Sequence, residues 1–123
     1  MQNEKEKFKE NFIKRLVQFS VNIIRFSEKL KINRIFWPIA DQLLRSATSI
    51  GANVVEAKSS SSKKDYIHFF EIALKSANET KYWLIVIQES APEFKEASVN
   101  LYQEADEISK IIGSSILTLK GKN

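Results

Sequence analysis

His68 is the only histidine in this chain of 123 residues, and there is no cysteine. A two-histidine metal site therefore cannot form within one chain. Without thiols there is also no thiolate nucleophile and no thiolate metal site. Asp65-Tyr66-Ile67-His68 has the acid-x-x-His spacing of di-iron bundles, but those need Glu-x-x-His twice and this spacing occurs once. Ser-His-Asp chemistry would require His68 as its base. It lies between Ile67 and Phe69 in a helical packing pattern, where a satisfied or surface imidazole is the simpler reading. Glu104, Asp106 and Glu107 cluster as a solvated helix face, or as ion-pair partners for Lys75 and Lys81, rather than as an acid–base pair. No glycine-rich loop is present to cradle phosphates. These residues predict no catalytic site, no metal and no cofactor.

What remains is charge. The net value is +4, but its distribution is uneven. Residues 1–34 carry nine cations against four anions, residues 35–90 carry six of each, and residues 91–123 carry four against five. The excess thus belongs to the first helix and the loop after it. Lys14, Arg15, Arg25, Lys29, Lys31 and Arg34 are the candidate phosphate contacts there, with Lys58, Lys63 and Lys64 at the opposite end of the molecule. Charge runs often do no more than solubilise a surface, and that alternative stands beside the nucleic-acid one. Lys63 and Lys64 open a helix, where the dipole disfavours cations by a few tenths of a kcal/mol. An anionic partner would relieve that mismatch.

Four amphipathic helices must position these side chains. In the first, at about 4–31, Phe8, Phe12, Leu16, Phe19, Ile23, Phe26 and Leu30 recur every three or four residues, and Ile13, Val17 and Ile24 widen the stripe. The second, at about 38–58, starts at Pro38, whose missing N–H is harmless in a first turn. It turns Ala40, Leu43, Ala47, Ile50, Val54 and Ala57 inward. Gly51 sits among these small residues at a cost of about 1 kcal/mol relative to Ala, which suggests close packing. Ser59 to Ser62 form a turn, and Ser62-x-x-Asp65 resembles a capping signal.

The third helix, at about 63–90, buries Tyr66, Phe70, Ala73, Ala77, Leu84 and Ile87. It stops before Pro92, which pushes Ala91 out of the α region. The fourth, at about 95–119, carries Leu101, Ala105, Ile108, Ile112 and Leu119. Folding the second and third helices together at Ser60–Ser61 predicts an Arg45–Glu79 ion pair and sets Asn53 near His68 as a polar register-setter. The expectation is one all-α domain over residues 1–123, an antiparallel up-down-up-down four-helix bundle.

No apolar run is long enough to span a bilayer, the N-terminus lacks a signal-peptide pattern, and the absence of Cys suits a reducing cytoplasm. Tyr82, Trp83, Ile85 and Val86 make a nearly all-round apolar patch late in the third helix. A bundle this small has limited interior for them together with Phe8 and Trp37, so Tyr82, Trp83 and Val86 are candidate oligomer contacts. The alternative places all these aromatics in one protomer's core.

The segment SIGANVVEA, a Ser/Lys loop and then DYIHFFEIALKSANETKYWL resembles the four-helix-bundle family of proteins encoded by intervening sequences in bacterial 23S ribosomal RNA genes. It is similar also to the accessory protein of diversity-generating retroelements. Ser49, Asn53, Glu56, Ser62, Glu79, Tyr82 and Trp83 stand where the family pattern has them. Ala57 replaces a common Gly, implying a less sharply turned helix end. The resemblance implies a homo-oligomeric ring, typically a pentamer, with a nucleic-acid role and no known catalysis. A reverse transcriptase is an implied protein partner. The second expectation is a protein-interaction adaptor without any nucleic-acid role.

Overall fold

A computed structural model describes residues 2–121. Four helices run alternately up and down: α1 (Glu4–Leu30), α2 (Trp37–Lys58), α3 (Lys63–Ser90) and α4 (Lys95–Leu119). Each boundary has a local cause. Asn3 caps α1 by accepting a hydrogen bond from the Glu6 N–H at 2.8 Å. Asn33 caps a short 3-10 turn, Arg34–Phe36, that leads into α2 with Pro38 in its first turn. Ser62 caps α3 through the Asp65 N–H, the capping signal read from the sequence. Ala91 leaves the α region (φ −134°, ψ 88°) ahead of a second 3-10 turn, Pro92–Phe94. Ser59 ends α2 without a left-handed residue, consistent with Ala where a turn-forming Gly is common.

The inward stripes form one core. The α2 stripe from Ala40 to Ala57 is at most 4% exposed, and Phe19, Ile23 and Leu30 of α1 are at most 1%. At the upper end Phe94 packs edge-to-face on both Phe26 and Phe36, with ring centroids 5.8 and 6.4 Å apart. That cluster closes the bundle where the α1–α2 and α3–α4 turns meet.

The α2–α3 hairpin is one helical turn out of the register expected from a fold at Ser60–Ser61. That fold would set Ser49 opposite position 72, yet Ser49 Oγ is hydrogen-bonded to Ser76 Oγ at 3.0 Å. Ser46 Oγ is likewise bonded to Thr80 Oγ1, also at 3.0 Å. The cause lies at the turn: Ser62 is extended (φ −146°, ψ 160°), so α3 begins about a turn beyond the end of α2. The expected Arg45–Glu79 ion pair is accordingly absent. Arg45 donates to Gln42 at 2.6 Å, and Glu79 accepts from the Trp83 indole at 3.0 Å. Asn53 turns back to Ser49 of its own helix, so the hydroxyl pairs do the cross-helix bonding instead.

The α1–α4 seam is built differently. Arg15 Nε and Nη2 donate to the two Glu104 carboxylate oxygens at 2.7 and 2.6 Å, and Glu107 lies 3.5 Å from Nη2. The paired guanidinium holds the Glu104 carboxyl below its ordinary value. Below this bridge α1 and α4 part, leaving a groove floored by the side chains of α2 and α3.

Candidate nucleic-acid interface

The nine predicted phosphate contacts divide by position and by partner. Arg25, Lys29, Lys31 and Arg34 surround the upper α1–α2 turn. Lys58, Lys63 and Lys64 surround the lower α2–α3 turn, and Lys14 and Arg15 lie along α1 between them. Three are engaged by carboxylates within the protomer. Arg15 is held by Glu104 and Glu107, Lys31 by Asp41 at 2.5 Å, and the largely exposed Lys14 by Glu10 at 3.9 Å. Arg25, Lys29, Arg34, Lys58, Lys63 and Lys64 are exposed and have no carboxylate within ion-pairing distance among the described residues. The structure thus brings no nine-residue site together. It leaves two clusters of uncompensated charge at opposite ends of the bundle.

Each cluster has a local architecture. At the lower end Lys63 and Lys64 occupy the first turn of α3 beside Asp65, where the helix dipole adds partial positive charge. His68 is exposed on the following turn, its ring 6.1 Å from Phe69, and shares a shallow hollow with both lysines, Glu71 and Lys120. Glu71 is occupied by Lys120 at 3.1 Å.

At the upper end the Arg34 guanidinium lies over the Trp37 ring, 5.1 Å from its centroid, and the Trp37 indole N–H donates to the Lys31 carbonyl at 2.7 Å. Trp37 is 44% exposed, and Ile32 and Ile35 beside it are 86% and 71% exposed. In sequence, Trp37 stands out only as a large residue competing for core space. The signal that places it is its position between Asn33 and Pro38 at the start of α2, three residues after Arg34.

The acidic cluster on α4 serves as ion-pair partners. Lys81 donates to Asp106 at 3.2 Å and Lys110 lies 3.1 Å from the other carboxylate oxygen. Lys110 and then Lys81 hold the Asp106 carboxyl below its ordinary value. Lys75, the other expected partner, makes no ion pair among the described residues. Among the described residues no three or more His, Asp or Glu side chains are placed to hold a metal ion together. Nor is any described helix long and apolar enough to cross a membrane.

Of the candidate oligomer contacts, Tyr82 is exposed, and Trp83 and Val86 are half-buried. Tyr82 stacks edge-on against Trp83, with centroids 5.1 Å apart, and Ile85 beside them is 44% exposed. One protomer does not seal this patch.

Comparison with known proteins agrees with this architecture. No curated protein sequence matches the chain. Among solved structures, a protein of unknown function from the S23 ribosomal protein family of Bacteroides thetaiotaomicron is 34% identical, with a TM-score of 0.80. The alignment covers 85% of this chain and 97% of that one. The family model described as 23S rRNA-intervening sequence protein matches residues 9–114. Sequence, fold and both comparisons converge, and the chain belongs to the 23S rRNA-intervening sequence protein family.

Proposed function

We propose that this protein is a non-enzymatic, nucleic-acid-binding homo-oligomer that grips phosphates through cations multiplied by ring symmetry. The observation that carries the reading is the set of exposed cations without carboxylate partners, above all Lys58, Lys63 and Lys64 around the start of α3. Cations at a helix N-terminus are unfavourable unless an anion lies against them. The unsealed patch of Tyr82, Trp83, Ile85 and Val86 supports assembly, since apolar surface of this kind marks subunit interfaces. In a pentamer the +4 protomer becomes a particle of about +20, and phosphate binding then gains from every copy. The family's association with 23S ribosomal RNA genes favours structured RNA as the ligand.

A gel-shift titration tests this. Structured RNA binds at micromolar protein in about 50 mM salt and dissociates steeply as salt rises. Lys63→Glu with Lys64→Glu weakens the complex at least about tenfold and flattens its salt dependence, as losing phosphate contacts requires. Absence of any complex at the low salt concentration contradicts the reading. A second reading, a protein-docking adaptor, draws on the exposed Ile32 and Ile35 at the upper turn. It would show as nuclease-resistant capture of one protein that Ile32→Ser with Ile35→Ser abolishes.

A further inference from the structure

The groove below the Arg15–Glu104 bridge is a cavity of about 560 Å³, within the size range of small-molecule sites. Its walls are Phe8, Phe12 and Ile13 of α1 and Ile111 and Leu119 of α4, and Val54 and Phe70 line its floor. The gap has a sequence cause. Where α4 passes α1 here it presents Ser114, Ser115 and Thr118, too small to reach across. A Cβ added at the neighbouring Gly113 would meet nothing within 4 Å.

The charges around this groove are one-sided. Lys5, Lys9, Lys58 and Lys110 line it and no carboxylate does, although the chain holds 15 acidic residues against 19 basic. Lys110 is engaged by Asp106, whereas Lys5, Lys9 and Lys58 have no carboxylate partner among the described residues. Lys9 instead lies 5.4 Å from the centre of the Tyr66 ring, at the groove's edge. Tyr66 is half-buried there, and burial pushes its hydroxyl above its ordinary value.

We infer that this groove binds a small amphiphilic anion, an aliphatic carboxylate whose chain lies between α1 and α4 and whose head meets Lys9 and Lys58. The apolar lining supplies most of the affinity and the lysines select the charged end. The site is separate from the upper cation cluster and shares only Lys58 with the lower one, and its carboxylate binding is read without nucleic acid present.

Calorimetric titration of the full-length protein with saturated fatty acids below their micelle concentrations tests the inference. Octanoate, decanoate and dodecanoate bind with one site per protomer, tightening by roughly fourfold per buried methylene. Methyl dodecanoate binds at least about tenfold more weakly than dodecanoate. Lys9→Gln, at a half-buried side chain, with Lys58→Gln, at an exposed one, brings the acid down to the ester's affinity and leaves the ester unchanged. Ser115→Phe fills the groove and removes both ligands. No saturable uptake up to about 1 mM overturns the inference, as does equal binding of acid and ester or an unaffected lysine double variant. Sedimentation showing an oligomer that takes up no dodecanoate, and that Ser115→Phe dissociates, assigns the groove to a second copy and also overturns it.

Discussion

The two seams of this bundle that flank α1 and α3 solve the same packing problem in opposite ways. Along α2–α3, small residues bring the backbones together and hydroxyls bond across, buried at Ser46–Thr80 and half-buried at Ser49–Ser76. Along α1–α4, one bidentate ion pair spans the gap and the helices separate below it. A seam zipped by small side chains has no slack, and therefore nowhere to admit a ligand. One pinned by a long Arg–Glu bridge can hold its helices apart, and it is there that the groove opens.

Overfilling the tight seam has the largest expected effect. Ala77 is fully buried on α3 next to Ser76, and Ala77→Leu forces three extra heavy atoms into a filled space. The expected loss is about 1–3 kcal/mol, or more if the backbones cannot part, measured by urea denaturation. A variant as stable as the parent would mean that the two seams do not differ in slack.

Breaking the bridge of the open seam has a smaller effect. Arg15 and Glu104 are each about one-third exposed (34% and 32% side-chain exposure), so screening limits the pair to about 1 kcal/mol. Glu104→Gln therefore costs about that amount at pH 7. The pH dependence has a definite sign. The folded Glu104 carboxyl titrates below its ordinary value of 4.5, so its contribution is fully present above that pH. It is lost as pH falls through the lowered folded-state value. Parent and Glu104→Gln stabilities should converge in acid, and a constant gap down to about pH 2 would contradict the assignment.

The difference between the seams also explains what could be read in advance. The inner stripe of α2, the Ser62 cap and the break at Pro92 were legible because each depends on residues within one or two turns of each other. Ser46 and Thr80 were not, since a hydroxyl in sequence looks like surface until another helix supplies its partner. The register differs by a turn for the same reason: the cap at Ser62 and its extended backbone are local, but the offset of α3 along α2 is set by which residues of the two helices meet. Arg15 looks like a free cation in sequence because Glu104, its partner, lies 89 positions away. The charge excess of residues 1–34 is real in sequence, but three of its members are neutralised within the protomer by Glu10, Asp41 and Glu104. Counting charges identifies cations, whereas only folding shows which remain uncompensated.

Hydrogen exchange resolved by residue tests the contrast most directly. Both segments are helical, so intrinsic hydrogen bonding does not separate them, and the difference must come from how each helix is held. The account predicts that amides of Phe12–Leu16, beside the groove, exchange at least about tenfold faster than those of Ala73–Thr80, inside the zipped seam. Equal protection in the two segments would mean that α1 is held as firmly as α3, and the open seam would lose its physical basis.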